Sequence, residues 1–402
     1  MSLVSKTLGD LFKIGSSKRI LKADWKTSGV PFYRGREITA LSKFGYIDND
    51  LFISEEHYSE LSETYGVPSA GDILITAIGT IGNTYIVKEN DKFYFKDASV
   101  LWLSEGRDID SKFMDYWFKS EDFFKQLDIG SGATVDTLSI SKLKSLEITA
   151  PPLSVQKQIV EKLDAAFADI DKAISATEKN IENAEALFSS KLKETFSQSE
   201  SDDPTLGSLL KITSSKRIYK SDYVQKGIPF YRTKEIKELA NGRKINTELF
   251  IDKDKFSKLR EKYGAPLKGD VLITAIGTIG EVYVVESSDE FYFKDGNVLW
   301  LKGLTDIDPY FLKFSLVSFV NDLNKMSHGA AYSALPIQKL KSFKIKLPPL
   351  REQSQIVTRL DNLKRKTVRL NSIYLKKMAE LHALKSSILN QAFSGELTKD
   401  AA

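Results

Sequence analysis

Cysteine is absent from all 402 residues of this chain. Its absence excludes disulfides and thiolate metal sites, and it suits a reducing cytoplasm. Histidine is nearly absent too: of the three, His57 and His328 face different residue types in the internal repeat described below, and His382 falls on the solvated side of a predicted helix. No H-E-x-x-H, G-x-S-x-G, methyltransferase-type or paired acidic nuclease motif is present. The chain therefore offers no catalytic residues, no metal ligands and no cofactor site, and the expectation is a protein that is not an enzyme. Long apolar runs are missing as well, with nothing near the roughly 18 to 20 residues of a membrane span. The opening Met1-Ser2-Leu3-Val4-Ser5-Lys6 lacks the basic-then-apolar layout of a signal peptide. Neither sign of charge dominates. A formal net charge of +4 permits a polyanionic partner, but only clustered cations would argue for one.

What is present is a duplication. Gly71-Asp72-Ile73-Leu74-Ile75-Thr76-Ala77-Ile78-Gly79-Thr80-Ile81-Gly82 returns at Gly269 to Gly280 with only Ile73 changed, to Val271. The same offset maps Ser16-Ser17-Lys18-Arg19-Ile20 onto Ser214 to Ile218, Pro31-Phe32-Tyr33-Arg34 onto Pro229 to Arg232, and Phe93-Tyr94-Phe95-Lys96-Asp97 onto Phe291 to Asp295. A repeat this long is a domain used twice rather than a solenoid unit.

In each copy, short β-branched and aromatic runs bounded by Gly, Asn and Asp predict strands, at 71–76, 84–87, 92–96 and 99–103 in the first. Gly79-Thr80-Ile81-Gly82 predicts a tight hairpin turn. One helix is expected over 110–125 and a closing strand over 142–149. Pro151-Pro152-Leu153 then marks a boundary, repeated at Pro348-Pro349-Leu350. After the first, Ile159, Leu163, Phe167, Ile170, Ile174, Thr177, Ile181, Ala184 and Phe188 follow a heptad spacing. After the second, the expected seam is Ile356, Leu360, Leu363, Thr367, Leu370, Tyr374, Lys377, Leu381, Leu384 and Ile388. Each helix would be about 65 Å long. A lone helix leaves such a seam wet, so the two are expected to pair, antiparallel. The expected architecture is a tandem α/β (α+β) duplication with approximate two-fold symmetry. It has a globular domain at 1–150, a long helix and linker at 151–203, a second globular domain at 204–347, and a long C-terminal helix at 348–402.

This order of parts resembles the specificity subunits of type I restriction–modification systems over essentially the full length. The marks are Gly71-Asp72-Ile73-Leu74 with its Gly-Thr-Ile-Gly turn, Leu143-Lys144, Pro151-Pro152-Leu153, and Gln156, Gln158 and Ile159. The second copy shows Gly269-Asp270-Val271-Leu272, Leu340-Lys341, Pro348-Pro349-Leu350, Glu352, Gln353 and Ile356, with Val155 departing from Glu352. The resemblance implies two target recognition domains, each reading half of a split double-stranded DNA site. It implies helices that act as a ruler and dock two adenine methyltransferase (modification) subunits, to which nuclease–translocase (restriction) subunits add. Half-site centres about 10 to 11 base pairs apart would keep both domains on one side of the duplex. A protein-binding scaffold without DNA specificity is the alternative, with the coiled coil as its working part.

Cations beside turn residues are the candidate DNA contacts, because Lys and Arg fix a duplex through its phosphates. They are Lys18, Arg19, Lys22, Arg34 and Arg36 beside Tyr33, and Lys216, Arg217, Lys220, Arg232 and Lys234 beside Tyr231. Thr80 and Thr278 sit in the Gly-Thr-Ile-Gly turns, which lack the Lys-Ser/Thr of a phosphate loop. Those turns read either as hairpin turns of the core sheet or as turns that also touch the DNA backbone. The two copies differ most at 42–50 against 240–248 and at 104–137 against 302–334. Ser131, Thr134, His328 and Tyr332 lie there, and base discrimination that differs between half-sites is expected in these loops.

Overall fold

A computed structural model describes residues 4–127, 137–196, 202–326 and 334–394. Their contacts divide the chain into two units, Met1–Thr177 with Lys376–Ala402, and Glu178–Leu375.

Unit 1 begins with β1 (Val4–Thr7), α1 (Leu8–Leu11), β2 (Lys13–Gly15), β3 (Val30–Tyr33), α2 (Gly35–Phe44), β4 (Phe52–Ile53) and α3 (Glu55–Tyr65). It continues with β5 (Ile73–Thr76), β6 (Thr84–Ile86), β7 (Tyr94–Phe95), β8 (Val100–Ser104), α4 (Ser111–Trp117), α5 (Glu121–Gln126), α6 (Ile140–Ser145) and β9 (Glu147–Ala150). The long helix α7 (Leu153–Phe196) starts here. An antiparallel sheet in the order β2-β8-β5-β6 forms the middle layer, and β4-β3-β7 flanks it with β3 and β7 parallel. Every residue of β5 is buried, as expected of a strand covered on both faces. The alternation sends Ile73 and Ile75 towards Phe113, Trp117 and Leu163 on one side, and Leu74 towards Ile38 and Phe95 on the other. Each such side chain contributes roughly 1.5 to 3 kcal/mol on burial.

Two expectations change here. The helix foreseen over 110–125 is broken, because the Ser120 hydroxyl donates to the Trp117 carbonyl and accepts the Phe123 amide, closing α4 and capping α5. The closing strand foreseen from Lys142 starts only at Glu147. Ser139 caps α6 through the Lys142 amide, so 140–145 is helical and only Leu143 of it is buried.

Unit 2 repeats the plan with α8 (Leu206–Leu209), β10 (Lys211–Thr213), β11 (Tyr223–Val224), β12 (Ile228–Tyr231), α9 (Thr233–Ala240), β13 (Phe250–Ile251) and α10 (Lys253–Tyr263). Then come β14 (Val271–Thr274), β15 (Val282–Val284), β16 (Tyr292–Phe293), β17 (Val298–Lys302), α11 (Pro309–Met326), α12 (Ile337–Lys341) and the long helix α13 (Leu350–Phe393). Its sheets run β10-β17-β14-β15 and β11-β13-β12-β16. Val271 and Ile273 face α11, while Leu272 faces α9.

Within each unit the parts of α7 and α13 pair in opposite directions. In unit 2, Glu185 accepts from Asn371 at 3.1 Å, while Leu192, further along α7, packs with Leu360, earlier on α13. In unit 1, Lys385 meets Asp171 at 2.7 Å and its ammonium lies 4.8 Å from the centroid of the Phe167 ring, one turn earlier. The α7 seam follows the foreseen positions: Ile159, Leu163, Phe167 and Ile170 are buried, and Ile174, Ile181 and Phe188 are half-buried. On α13, Ile356, Leu360, Leu363, Thr367, Tyr374, Leu381 and Ile388 are sheltered, but Lys377 is exposed and Leu370 and Leu384 are 42% and 48% exposed. The sheltered line passes instead through Asn371, Met378 and Lys385. Two of those positions are polar and bonded across the seam, which is why apolar spacing alone slid by one residue.

Candidate nucleic-acid interface

The candidate residues converge on one end of the central sheet in each unit. There β2 and β5 finish and β6 and β8 begin, so the loops 16–22, 77–83 and 96–99 meet. The loop after β2 is pinned by its two serines. Ser16 Oγ donates to the Val100 carbonyl at 2.8 Å, Ser17 Oγ to the Phe95 carbonyl at 2.6 Å, and the Lys18 amide to the Tyr94 hydroxyl at 2.9 Å. Unit 2 repeats this with Ser214 on Val298 at 2.8 Å, Ser215 on Phe293 at 2.5 Å and Lys216 on Tyr292 at 2.9 Å. Ile20 and Ile218 are buried just beyond. With backbone and apolar side chain fixed, Lys18, Arg19, Lys22, Lys216, Arg217 and Lys220 project into solvent. The Lys18 ammonium lies 5.3 Å from the Tyr65 ring centroid, and that of Lys216 lies 4.6 Å from Tyr263. Arg217 is held by Asp295 at 3.2 Å.

The second cluster is placed differently from the expectation of free cations. The Arg34 guanidinium clasps Glu37 at 2.7 and 3.0 Å and reaches Asp50 at 2.9 Å; Arg36 bonds the same two carboxylates, each at 2.8 Å. Arg232 holds Glu235 at 2.7 and 3.1 Å and Glu248 at 3.0 Å, and Lys234 approaches Glu248 at 3.5 Å. Glu37 is fully buried at the start of α2. Burial pushes its carboxyl up, but hydrogen bonds from Arg34 and Arg36 outweigh this and hold it below the ordinary value. The same balance lowers Glu235. Arg34 and Arg232 are thus committed to the helix start and partly sheltered, while Arg36, bonded to the same carboxylates as Arg34, stays largely exposed. Tyr33 and Tyr231 are half-buried and stacked on Phe93 and Phe291, each with centroids 4.7 Å apart, so they pack the core rather than offering a free stacking face.

Thr80 and Thr278 are exposed at the tips of the hairpin turns. Each turn wraps a buried threonine: the Asn83 amide donates to Thr76 Oγ1 at 3.0 Å, and the Glu281 amide to Thr274 Oγ1 at 3.0 Å. Positive φ at Gly79, Gly82, Gly277 and Gly280 closes the loop, and a Cβ at Gly280 would lie 2.5 Å from Val320. Ile78 bridges to Thr137 and Ile276 to Ala334. Ser131, Thr134, His328 and Tyr332 lie outside the described residues.

Sequence reasoning passed over Lys96 and Lys294, whose amides bond the carbonyls of Tyr33 and Tyr231 at 2.7 and 2.9 Å, at the same sheet end. It also passed over the left-handed position just after them, Ala98 at φ 59 and Gly296 at φ 69. The repeated Phe-Tyr-Phe-Lys-Asp motif was the available signal for both. Among the described residues no group of three or more His, Asp or Glu is placed to hold a metal ion, and no helix is long and apolar enough to cross a membrane. Chemically, each sheet end is an open, cation-bearing edge of rigid backbone. It suits a polyanion better than a small substrate.

Known proteins support this reading of the parts. The family model described as the type I restriction modification DNA specificity domain matches residues 3–183 and again 198–380. A Haemophilus influenzae protein provisionally named a type I restriction enzyme specificity subunit is 34% identical over 159 residues, 39% of this chain and 38% of that protein. The type I restriction enzyme EcoBI specificity subunit of Escherichia coli is 27% identical over 308 residues, 67% of this chain and 62% of its own length. The match thus spans less than two thirds of either relative. Among solved structures, a chain from a study of complex assembly and conformational transition in a type I restriction–modification system shares the fold. Its TM-score is 0.76 at 18% identity, covering 98% of both chains. Two matched copies, together spanning most of the sequence, place this chain in the family of the type I restriction modification DNA specificity domain.

Proposed function

We propose that the chain is the non-catalytic DNA-recognition subunit of a type I restriction–modification complex acting in the cytoplasm. Each domain reads one half of a split, nearly palindromic duplex site. The observation that carries this is the cation-bearing sheet end, built twice with the same serine, tyrosine and threonine anchors. Lys18, Arg19 and Lys22, with Lys216, Arg217 and Lys220, grip phosphates. The segments 128–136 and 327–333, with Ser131, Thr134, His328 and Tyr332, discriminate bases. The long helices set a fixed unread spacer, with half-site centres about 10 to 11 base pairs apart, and dock two adenine methyltransferase subunits. Exposed apolar side chains on α13, Val368, Ile373 and Leu375, favour a protein partner there. Restriction subunits then join the methyltransferases.

The test is an adenine-methylation map of host DNA with this gene present and deleted. Loss of methylation at one split motif is the expected result. Unchanged methylation, with an active methyltransferase present, would transfer the weight to a scaffold without DNA specificity.

A further inference from the structure

Besides the apolar packing along it, each long helix carries a buried glutamine where the domain passes into it. Gln156 lies in the first turn of α7 and is 0% exposed. Its Oε1 accepts the Asp110 amide at 2.8 Å, while its Nε2 donates to the Asp108 carbonyl at 3.0 Å and the Pro151 carbonyl at 2.8 Å. Gln353, in the first turn of α13 and also 0% exposed, accepts from the Asp308 amide and donates to the Asp306 and Pro348 carbonyls, all at 2.8 Å.

Three elements meet at each of these side chains. Asp110 caps α4, and the matching Asp308 caps the start of α11, its Oδ1 accepting the Tyr310 and Phe311 amides. Asp108 and Asp306 are left-handed, at φ 55 and 57, a conformation that costs a non-glycine residue energy and here turns a carbonyl onto the glutamine. The prolines have no amide to give, and the second of each pair, Pro152 and Pro349, accepts the backbone amides at the helix start. Both amide hydrogens and one oxygen lone pair of each glutamine are used, in a buried site, at the turn where the domain passes into its helix. A strained residue kept at the same place in both copies indicates that the geometry of this joint matters beyond burial.

We propose that Gln156 and Gln353 are positioning residues that fix the angle of each domain on its own helix and thereby confine the protein to a single spacer length. This rests on the DNA-recognition reading above. A joint free to swing by a few degrees, at the end of a helix tens of ångströms long, displaces the domain by about the 3.4 Å that separates adjacent base pairs.

The test replaces both glutamines by methionine, Gln156→Met with Gln353→Met, which keeps volume and removes all six hydrogen bonds. Adenine methylation is mapped genome-wide in cells carrying the full complex with either chain. The expected result is the same two half-site sequences, with methylation at sites one base pair shorter or longer rising at least tenfold. Leu143→Ala in the domain core serves as the control. It weakens the domain without touching the joint, and should lower total methylation while leaving one spacer. If the methionine variant keeps a single spacer, or if Leu143→Ala spreads the spacing equally, the proposal is overturned. If the double variant fails to accumulate, Gln353→Met alone must broaden the spacing, and a single spacer there overturns it as well. If the unaltered chain methylates no split motif, the recognition reading itself fails, a result distinct from the others.

Discussion

Behind the central sheet of the first domain lie two short helices, α4 and α5. The second domain has a single helix of 18 residues, α11, in the same place. Both copies carry a serine at the break, Ser120 and Ser318, so the serine alone does not decide. Its neighbours do. Glu121 and Asp122 put negative charge into the first turn of α5, where a helix start is favoured, whereas Phe319 and Val320 continue an apolar surface through the same point. At the sheet end the copies agree, the paired serine and lysine hydrogen bonds differing by no more than 0.1 Å. The frame that aims the candidate DNA contacts is shared, while the layer behind it varies wherever it can still cover the buried strands. The helices diverge as well: α7 carries eight acidic residues and six lysines, α13 three acidic residues and nine lysines or arginines.

The comparison can be broken most severely through the cores. Leu143→Ala and Leu340→Ala, both at 0% exposure, should each cost roughly 3 kcal/mol. Hydrogen exchange should lose protection in unit 1 for the first and unit 2 for the second; equal loss in both units would end any treatment of them as separate folding bodies. Next, Glu37→Gln and Glu235→Gln should cost roughly 2 kcal/mol, below the value for a fully buried pair because the arginines are partly solvated. The first should be the costlier by chemical denaturation, since Glu37 holds two arginines and Glu235 one. This contribution is complete above the carboxyl's ordinary value of 4.5 and is lost as pH falls through the lowered folded value.

Removing exposed cations should act on binding instead. Lys18→Ala with Arg19→Ala should weaken duplex binding by about tenfold and flatten its salt dependence by about two ions. Lys216→Ala with Arg217→Ala should do less, because Arg217 already shares its charge with Asp295. Titrations at two salt concentrations, on one fixed duplex, would show equal losses if that pairing is without effect. A pH-dependent effect, confined to alkaline solution, concerns Lys313, which stands where the first copy has Asp115. Burial, aided by Lys364, pulls its ammonium from 10.5 down to about 8. Between these values the unfolded chain binds the extra proton, so stability should rise with pH from about 8 towards 10, and Lys313→Met should remove that rise in pH-dependent denaturation.

Much of this architecture was legible in residue order, because the duplication supplied an internal comparison. The strands around Gly71 to Leu103, the hairpin turn and the α7 seam all stand on apolar residues at regular spacing. The α13 seam was misplaced at Leu370 and Leu384 because Asn371 and Lys385 occupy sheltered positions through bonds to Glu185 and Asp171, which no hydrophobic pattern reveals. Arg34 and Arg232 looked like free cations for a related reason. Their partners Asp50 and Glu248 lie 16 residues away, and Glu37 and Glu235 look like ordinary solvent-facing acids of an amphipathic helix.

The strand β1 lies against β9, Val4 opposite Ala150, and the second copy closes in the same manner, with Thr205 bridged to Lys344 and the Leu206 amide on the Phe343 carbonyl at 2.9 Å. Each domain therefore enters and leaves its neighbours through one doorway. In the language of heredity this makes it a cassette. A recombination with one breakpoint ahead of the first strand and another at the Pro-Pro step would exchange a whole domain and leave both helices uncut. Under the proposed DNA-recognition role, a new target sequence is then acquired in one genetic event rather than by gradual substitution.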